Sequence, residues 1–110
     1  MASPSLLIVT TSFPDEQAAR TMLKALLEQR LVACGHTHQV QSSYWWQEAV
    51  VTKPEWILTM KTRADLYEKL ESAIVTAHEY DVPMIVATPV MGALASYADW
   101  VNEETSSSAA

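Results

Sequence analysis

The segment Cys34-Gly35-His36-Thr37-His38 sets a thiol and two imidazoles at alternate positions, and both groups are favoured ligands of zinc and copper. If residues 31–40 form one regular strand, the three side chains share a face, because successive strand residues point to opposite sides. Neighbours on that face stand about 6.7 Å apart, so Cys34 and His38 are separated by about 13 Å. That span is too long for all three to hold one ion. His36 and His38 can act as a pair, with a third ligand from another strand or subunit. The plainer reading needs no metal: Cys34 is a small core residue, the histidines are surface polars at a strand end, and Gly35 interrupts the alternation.

A second cluster is His78-Glu79-Tyr80-Asp81. A histidine at the end of a helix gains from the helix dipole, and in a cleft it can serve as a ligand or polar contact. The segment is not H-E-x-x-H, because Val82 stands where the second histidine belongs, so zincin chemistry does not follow. Tyr44 and Trp46 share a face of their strand. With Trp45 and Trp56 they suit a subunit interface or the floor of a small-molecule pocket. Met60, Met84 and Met91 are soft thioethers but form no closely spaced run, which favours core filling. Lys61 and Arg63 close a strand where a cation facing a cleft can meet an anion. With only Gly35 and Gly92 there is no glycine-rich phosphate loop, and G-x-S-x-G and paired Cys-x-x-Cys motifs are absent. No nucleophile–base pair stands at readable spacing, so the expected activity is not enzymatic.

The elements that carry these residues follow from periodicity. Ser5–Thr11 reads as a strand. Pro14, Asp15 and Glu16 suit a helix start, and Ala18, Met22, Leu23, Leu26 and Leu27 form its apolar stripe up to Arg30. A second strand begins at Leu31, β-rich residues continue to Trp46, and a turn covers residues 47–54. Glu55–Lys61 is the third strand. Thr62-Arg63-Ala64-Asp65 resembles a capping box ahead of the helical stripe Leu66, Leu70, Ala73, Ile74 and Ala77. Met84–Val90 is the fourth strand and Ala95–Glu103 a short last helix. The order β-α-β-β-α-β predicts an α+β, ferredoxin-like domain over residues 1–104: a four-stranded antiparallel sheet, two helices on one face, a C-terminal helix, and a flexible tail at 105–110.

Leu6-Leu7-Ile8-Val9 and Trp56-Ile57-Leu58-Thr59-Met60 are apolar on both faces, beyond what two helices on one side can cover. About 300–400 Å² of sheet is left over, which predicts an oligomer packed through its sheets, with pockets in the seams.

The chain has 110 residues and a net charge of −6, with lone lysines such as Lys24, Lys53 and Lys69 in no basic run. This balance repels phosphate backbones and argues against a nucleic-acid partner. No apolar run reaches the ~18 residues of a membrane span, no basic cluster opens a signal peptide, and the one cysteine cannot form an internal disulfide. A reducing, cytoplasmic setting is expected.

Six segments resemble, in order, the CutA (CutA1) divalent-cation tolerance proteins. They are Thr10-Thr11-Ser12-Phe13-Pro14-Asp15, Leu31-Val32-Ala33-Cys34, Ser43-Tyr44-Trp45-Trp46, Met60-Lys61-Thr62, His78-Glu79-Tyr80-Asp81-Val82-Pro83-Met84-Ile85 and Tyr97-Ala98-Asp99-Trp100. The resemblance covers about residues 5–103. It implies a PII-like trimer and a role in tolerance to copper and other divalent cations. It also implies an inter-subunit cleft matched here by Cys34, Tyr44, Trp46, Lys61, His78, Tyr80 and Trp100. No obligatory cofactor is implied; copper or zinc are the candidate ions, with Cys34, His36, His38 and His78 as candidate ligands. The alternative is a PII-like signalling module, with Lys61, Tyr80 and Trp46 holding a small anionic metabolite and loops presented to a protein partner. The chain departs from the family pattern at Gly35-His36-Thr37-His38, at Gln39 for a proline, at Glu48 for the glycine after the tryptophans, and at Met84 for a glutamate.

Overall fold

The computed structural model of the chain describes residues 5–106. Eight elements follow one another: β1 (Leu6–Phe13), α1 (Glu16–Glu28), β2 (Cys34–Trp46), β3 (Ala49–Arg63), a short 3-10 turn (Ala64–Leu66), α2 (Tyr67–Ala77), β4 (Ile85–Pro89) and α3 (Ala95–Glu104). The strands form one sheet in the order β2-β3-β1-β4, and every neighbouring pair is antiparallel. This is the expected ferredoxin-like α+β architecture.

Strand alternation sorts the sheet into two faces. Leu7 and Val9 of β1, Trp56, Leu58 and Met60 of β3 and Ile85 and Ala87 of β4 pack with Met22, Leu26, Leu70 and Ile74 of α1 and α2. Val9, Leu58, Met60, Leu70 and Ile74 are wholly buried, each worth about 1.5–3 kcal/mol of apolar transfer. On the opposite face α3 covers only one end, where Val101 and Ala98 meet Leu6, Ala33 and Val90. The rest of that face, including Ile8 and Thr10 of β1 and Ile57 and Thr59 of β3, carries no helix and is part-exposed.

Several expected boundaries move. The N-cap of α1 is Asp15, whose carboxylate accepts from the Ala18 amide at 2.8 Å, so Pro14 precedes the helix and is not in its first turn. Arg30 is the residue after the C-cap, in the left-handed region at φ 60°. Its amide and that of Leu31 close onto the carbonyls of Leu27 and Leu26. That is the double-bonded helix stop usually built on glycine. The guanidinium of Arg30 binds the Glu104 carboxylate at 2.8 Å, away from the α1 dipole. No capping box forms at Thr62: its hydroxyl is buried and donates to the Leu31 carbonyl at 2.6 Å, and α2 is entered through the 3-10 turn. Thr105, expected in the tail, is buried, and its hydroxyl bonds the Val101 carbonyl to end α3. Residues 107–110 of that tail lie outside the described residues.

The largest difference is the β2–β3 hairpin. The turn expected over 47–54 is two residues long, Gln47-Glu48, both with positive φ (49° and 67°). This is the backbone of a two-residue hairpin loop matched to strand twist. β3 therefore runs from Ala49 without a break through Pro54. Proline is tolerated there because β1 ends where Phe13 meets Trp56, leaving that stretch of β3 with a neighbour on one side only.

Candidate functional site

The continuity of β2 decides how its side chains are presented. Gly35 lies within the strand and does not interrupt it: Gly35 pairs with Met60 and His36 with Thr59 in unbroken register. A Cβ at Gly35 would stand 2.5 Å from the Leu23 side chain, so odd positions of β2 face α1. Cys34, His36, His38, Val40, Ser42, Tyr44 and Trp46 consequently line the other face, opposite Lys61, Thr59, Ile57, Glu55, Lys53, Val51 and Ala49 of β3.

The candidate residues fall into three groups along this face. At the α3 end, Cys34 is opposite Lys61, and its sulfur lies 3.3 Å from the Tyr97 hydroxyl. The hydrogen bond to Cys34, with partial burial and the charge the thiol would carry, pushes the Tyr97 phenol up to about 12. Tyr97 packs against Trp100 with ring centroids 5.7 Å apart. Trp100 lines a shallow groove of about 310 Å³ with Leu27, Val32, Ala33 and the Arg30–Glu104 pair.

At the hairpin end, the Tyr80 hydroxyl donates to Glu55 at 2.8 Å. Glu55 is only 7% exposed. Burial and the Glu55 carboxylate together drive the Tyr80 phenol well above the usual tyrosine range. The Lys53 ammonium sits 5.9 Å from the Tyr44 ring and 5.8 Å from the Tyr80 ring, a cation held between two aromatic faces. Trp46 lies beyond Tyr44 near the hairpin tip and is 61% exposed. Between the two ends stand His36 and His38, both exposed.

His78 takes a different part. Its ring is buried, stacks on Phe13 at 4.4 Å, and has both nitrogens engaged: Nδ1 accepts from the Tyr80 amide at 3.1 Å and Nε2 lies 2.7 Å from the Ser12 carbonyl. With Nδ1 accepting, Nε2 donates to Ser12, so the ring clamps the end of α2 to β1. In this arrangement it offers a metal no lone pair.

The structure thus brings Tyr44 and Tyr80 together about Lys53, sets Trp46 farther out on the same arm, and keeps all three apart from Lys61, Cys34 and Trp100. Sequence reasoning missed Lys53, Glu55 and Tyr97. Lys53 was hidden by the turn expected over 47–54, while Glu55 opened the expected third strand without being singled out for a role. The alternation Val51, Lys53, Glu55, Ile57 across Pro54 was the available signal. Among the described residues no three of histidine, cysteine, aspartate and glutamate converge as a metal centre, and no helix is long and apolar enough to cross a membrane.

Comparison with known proteins places this geometry. The family model "CutA1 divalent ion tolerance protein" matches residues 7–104. The divalent-cation tolerance protein CutA of Pyrococcus horikoshii is 38% identical over 100 residues, spanning 91% of this chain and 98% of that protein. The chloroplastic CutA 1 of Oryza sativa subsp. japonica is 32% identical, over 93% of this chain and 58% of its own length. The structure of CutA from Archaeoglobus fulgidus, described as periplasmic, superposes with a TM-score of 0.90 at 26% identity, covering 92% of this chain and 99% of that one. With the same fold and a match over nearly its whole described length, the chain belongs to the CutA1 family of divalent ion tolerance proteins.

Proposed function

We propose that the chain works as a homotrimer that binds divalent metal ions, copper among them, or a small ligand in the seams between copies, as part of tolerance to those ions and without catalysis. The observation that carries this reading is the sheet face that α3 leaves open. Ile8, Thr10, Ile57 and Thr59 are only part-covered, Val86 is 51% exposed, and Trp46 projects beyond them. A part-bare sheet face that carries Ile8, Ile57 and Val86 among polar residues, in a chain of a cation-tolerance family, is best covered by copies of itself. The edges agree with this. β2 and β4 are the two edges of the sheet, so β2 of one copy can meet β4 of the next, and a head-to-tail contact of that kind that closes gives a ring. The Tyr44–Lys53–Tyr80 and Cys34–Lys61–Trp100 groups then border such seams and are the places for a small organic ligand. The single cysteine suits a reducing, cytoplasmic compartment.

Light scattering on the purified chain tests the assembly. Three copies of a 12.2 kDa chain give a species of about 37 kDa, and a folded species of one chain's mass overturns it. Calorimetric titration with Cu²⁺ and Zn²⁺ tests the ligand, and a folded assembly that takes up neither ion overturns metal binding.

A further inference from the structure

We propose that His36 and His38 form a two-nitrogen chelate on β2 for an imidazole-favouring divalent cation, Cu²⁺ before Zn²⁺ or Ni²⁺. This deepens the metal-binding reading above by naming its site, and it rests on that reading.

Four observations carry it. The two histidines occupy alternate positions of one continuous strand, so both rings leave the same face from α-carbons about 6.7 Å apart. Two imidazoles at that spacing can turn inward and reach a single ion at the ~2.0–2.1 Å of a metal–nitrogen bond. In the single chain both side chains are exposed, on the sheet face that a neighbouring copy would approach, and neither takes part in the hydrogen bonds found among the described residues. The third histidine is consumed, because each nitrogen of His78 has a backbone partner. Cys34, the next residue on the same face, is turned to the Tyr97 hydroxyl at 3.3 Å and lies at the far end of the row from His38.

The surroundings set the selectivity. Directly opposite the pair on β3 are Thr59 and Ile57, with Lys61 and Glu55 one row beyond on either side. β1 adds Thr10 and Ser12 behind them. Among the described residues no carboxylate cage is present to favour Ca²⁺ or Mg²⁺, which need six or more oxygens. Imidazole pairs favour borderline cations, with Cu²⁺ tightest among the divalent ions. The other coordination positions fall to water or to a donor from a neighbouring copy.

The test uses the full-length chain, stripped of metal, with Cu²⁺, Zn²⁺ and Mg²⁺ titrated separately by calorimetry. The expected result is one Cu²⁺ per chain, weaker Zn²⁺ and no Mg²⁺ uptake. His36→Asn/His38→Asn should lose affinity on the order of 100-fold, at or above the upper end of what loss of a mere ligand-orienting group costs. Electron paramagnetic resonance of the Cu²⁺ form should show coupling to imidazole nitrogen in the parent and lose it in the double variant. Unchanged Cu²⁺ affinity in the double variant, or binding abolished by Cys34→Ser, overturns the proposal. Light scattering on the same samples keeps the two readings apart: an assembled chain without histidine-dependent binding removes the chelate alone, and a 12 kDa species that binds copper through the pair removes the trimer alone.

Discussion

Single side chains divide here into those that hold the fold and those left free to act, and chemical type does not predict the division. His78 and His36 are both histidines beside strands, yet one is fixed by Phe13, Ser12 and the Tyr80 amide while the other faces outward. Which fate each meets depends on where the chain returns after α2, a tertiary fact that no local spacing encodes. The alternation of His36 and His38 was readable in advance, and Gly35, which looked able to break it, instead makes room for Leu23. Tyr80 offers a direct test at this scale. Tyr80→Phe leaves the buried Glu55 carboxylate without its hydroxyl donor and should cost about 1–3 kcal/mol, seen as a lower urea midpoint at pH 7.5. The pH dependence has a definite sign. Folding raises the Tyr80 pKa above its ordinary 10.0, so the neutral phenol is favoured in the native state. That contribution is complete below pH 10 and drains away as pH climbs through the folded value. Alkaline unfolding should therefore be steeper in the parent than in Tyr80→Phe. Tyr67 and Tyr97, raised in the same direction, should leave the variant some of the effect.

At the level of elements, burial imposes period 3.6 and period 2 on the sequence, so the doubly apolar strands and the helix stripes at Met22, Leu26, Leu70 and Ile74 were legible, while Leu27 and Ala77 of those stripes prove exposed and the buried Ala19 was missed. The β2–β3 hairpin was not. Pro54 suggested a loop, and Gln47-Glu48 lacks the asparagine–glycine signature of a two-residue turn. The structure places both residues at positive φ, where non-glycine side chains are strained. Gln47→Asn with Glu48→Gly should relieve that strain and stabilise the protein by about 0.5–2 kcal/mol, measured as a higher thermal midpoint at constant protein concentration. A lower midpoint would mean that the two native side chains make contacts that outweigh the strain. The capping box failed for a related reason: Thr62 faces the core as part of β3, and its hydroxyl is taken by the Leu31 carbonyl.

For the molecule as a whole, the uneven coverage of the sheet is the governing fact. Two helices seal one face and α3 only a corner of the other. The surplus was legible from Leu6–Val9 and Trp56–Met60, but the grouping of Tyr44 and Tyr80 about Lys53, apart from Cys34 and Lys61, was not, because it depends on the register of β2 against β3. Val86 stands on the open face, on edge strand β4. Val86→Lys places a charge where copies would meet and leaves the helix-side core untouched. The expected outcome is a smaller species by light scattering with an unchanged far-ultraviolet spectrum. An intact assembly would show that β4 takes no part in the contact.

Residues 40–46 and 49–55 extend past the last residue of β1 as a two-stranded ribbon, roughly 23 Å at a strand's rise. Tyr80 and Lys53 brace its root, while Trp45, at 74% exposed, and Trp46 stand at its tip. A ribbon of two strands has little resistance to melting unless something lies along it. Rigidity at the tip is therefore borrowed: whatever comes to rest against those indoles supplies the packing that two strands alone lack.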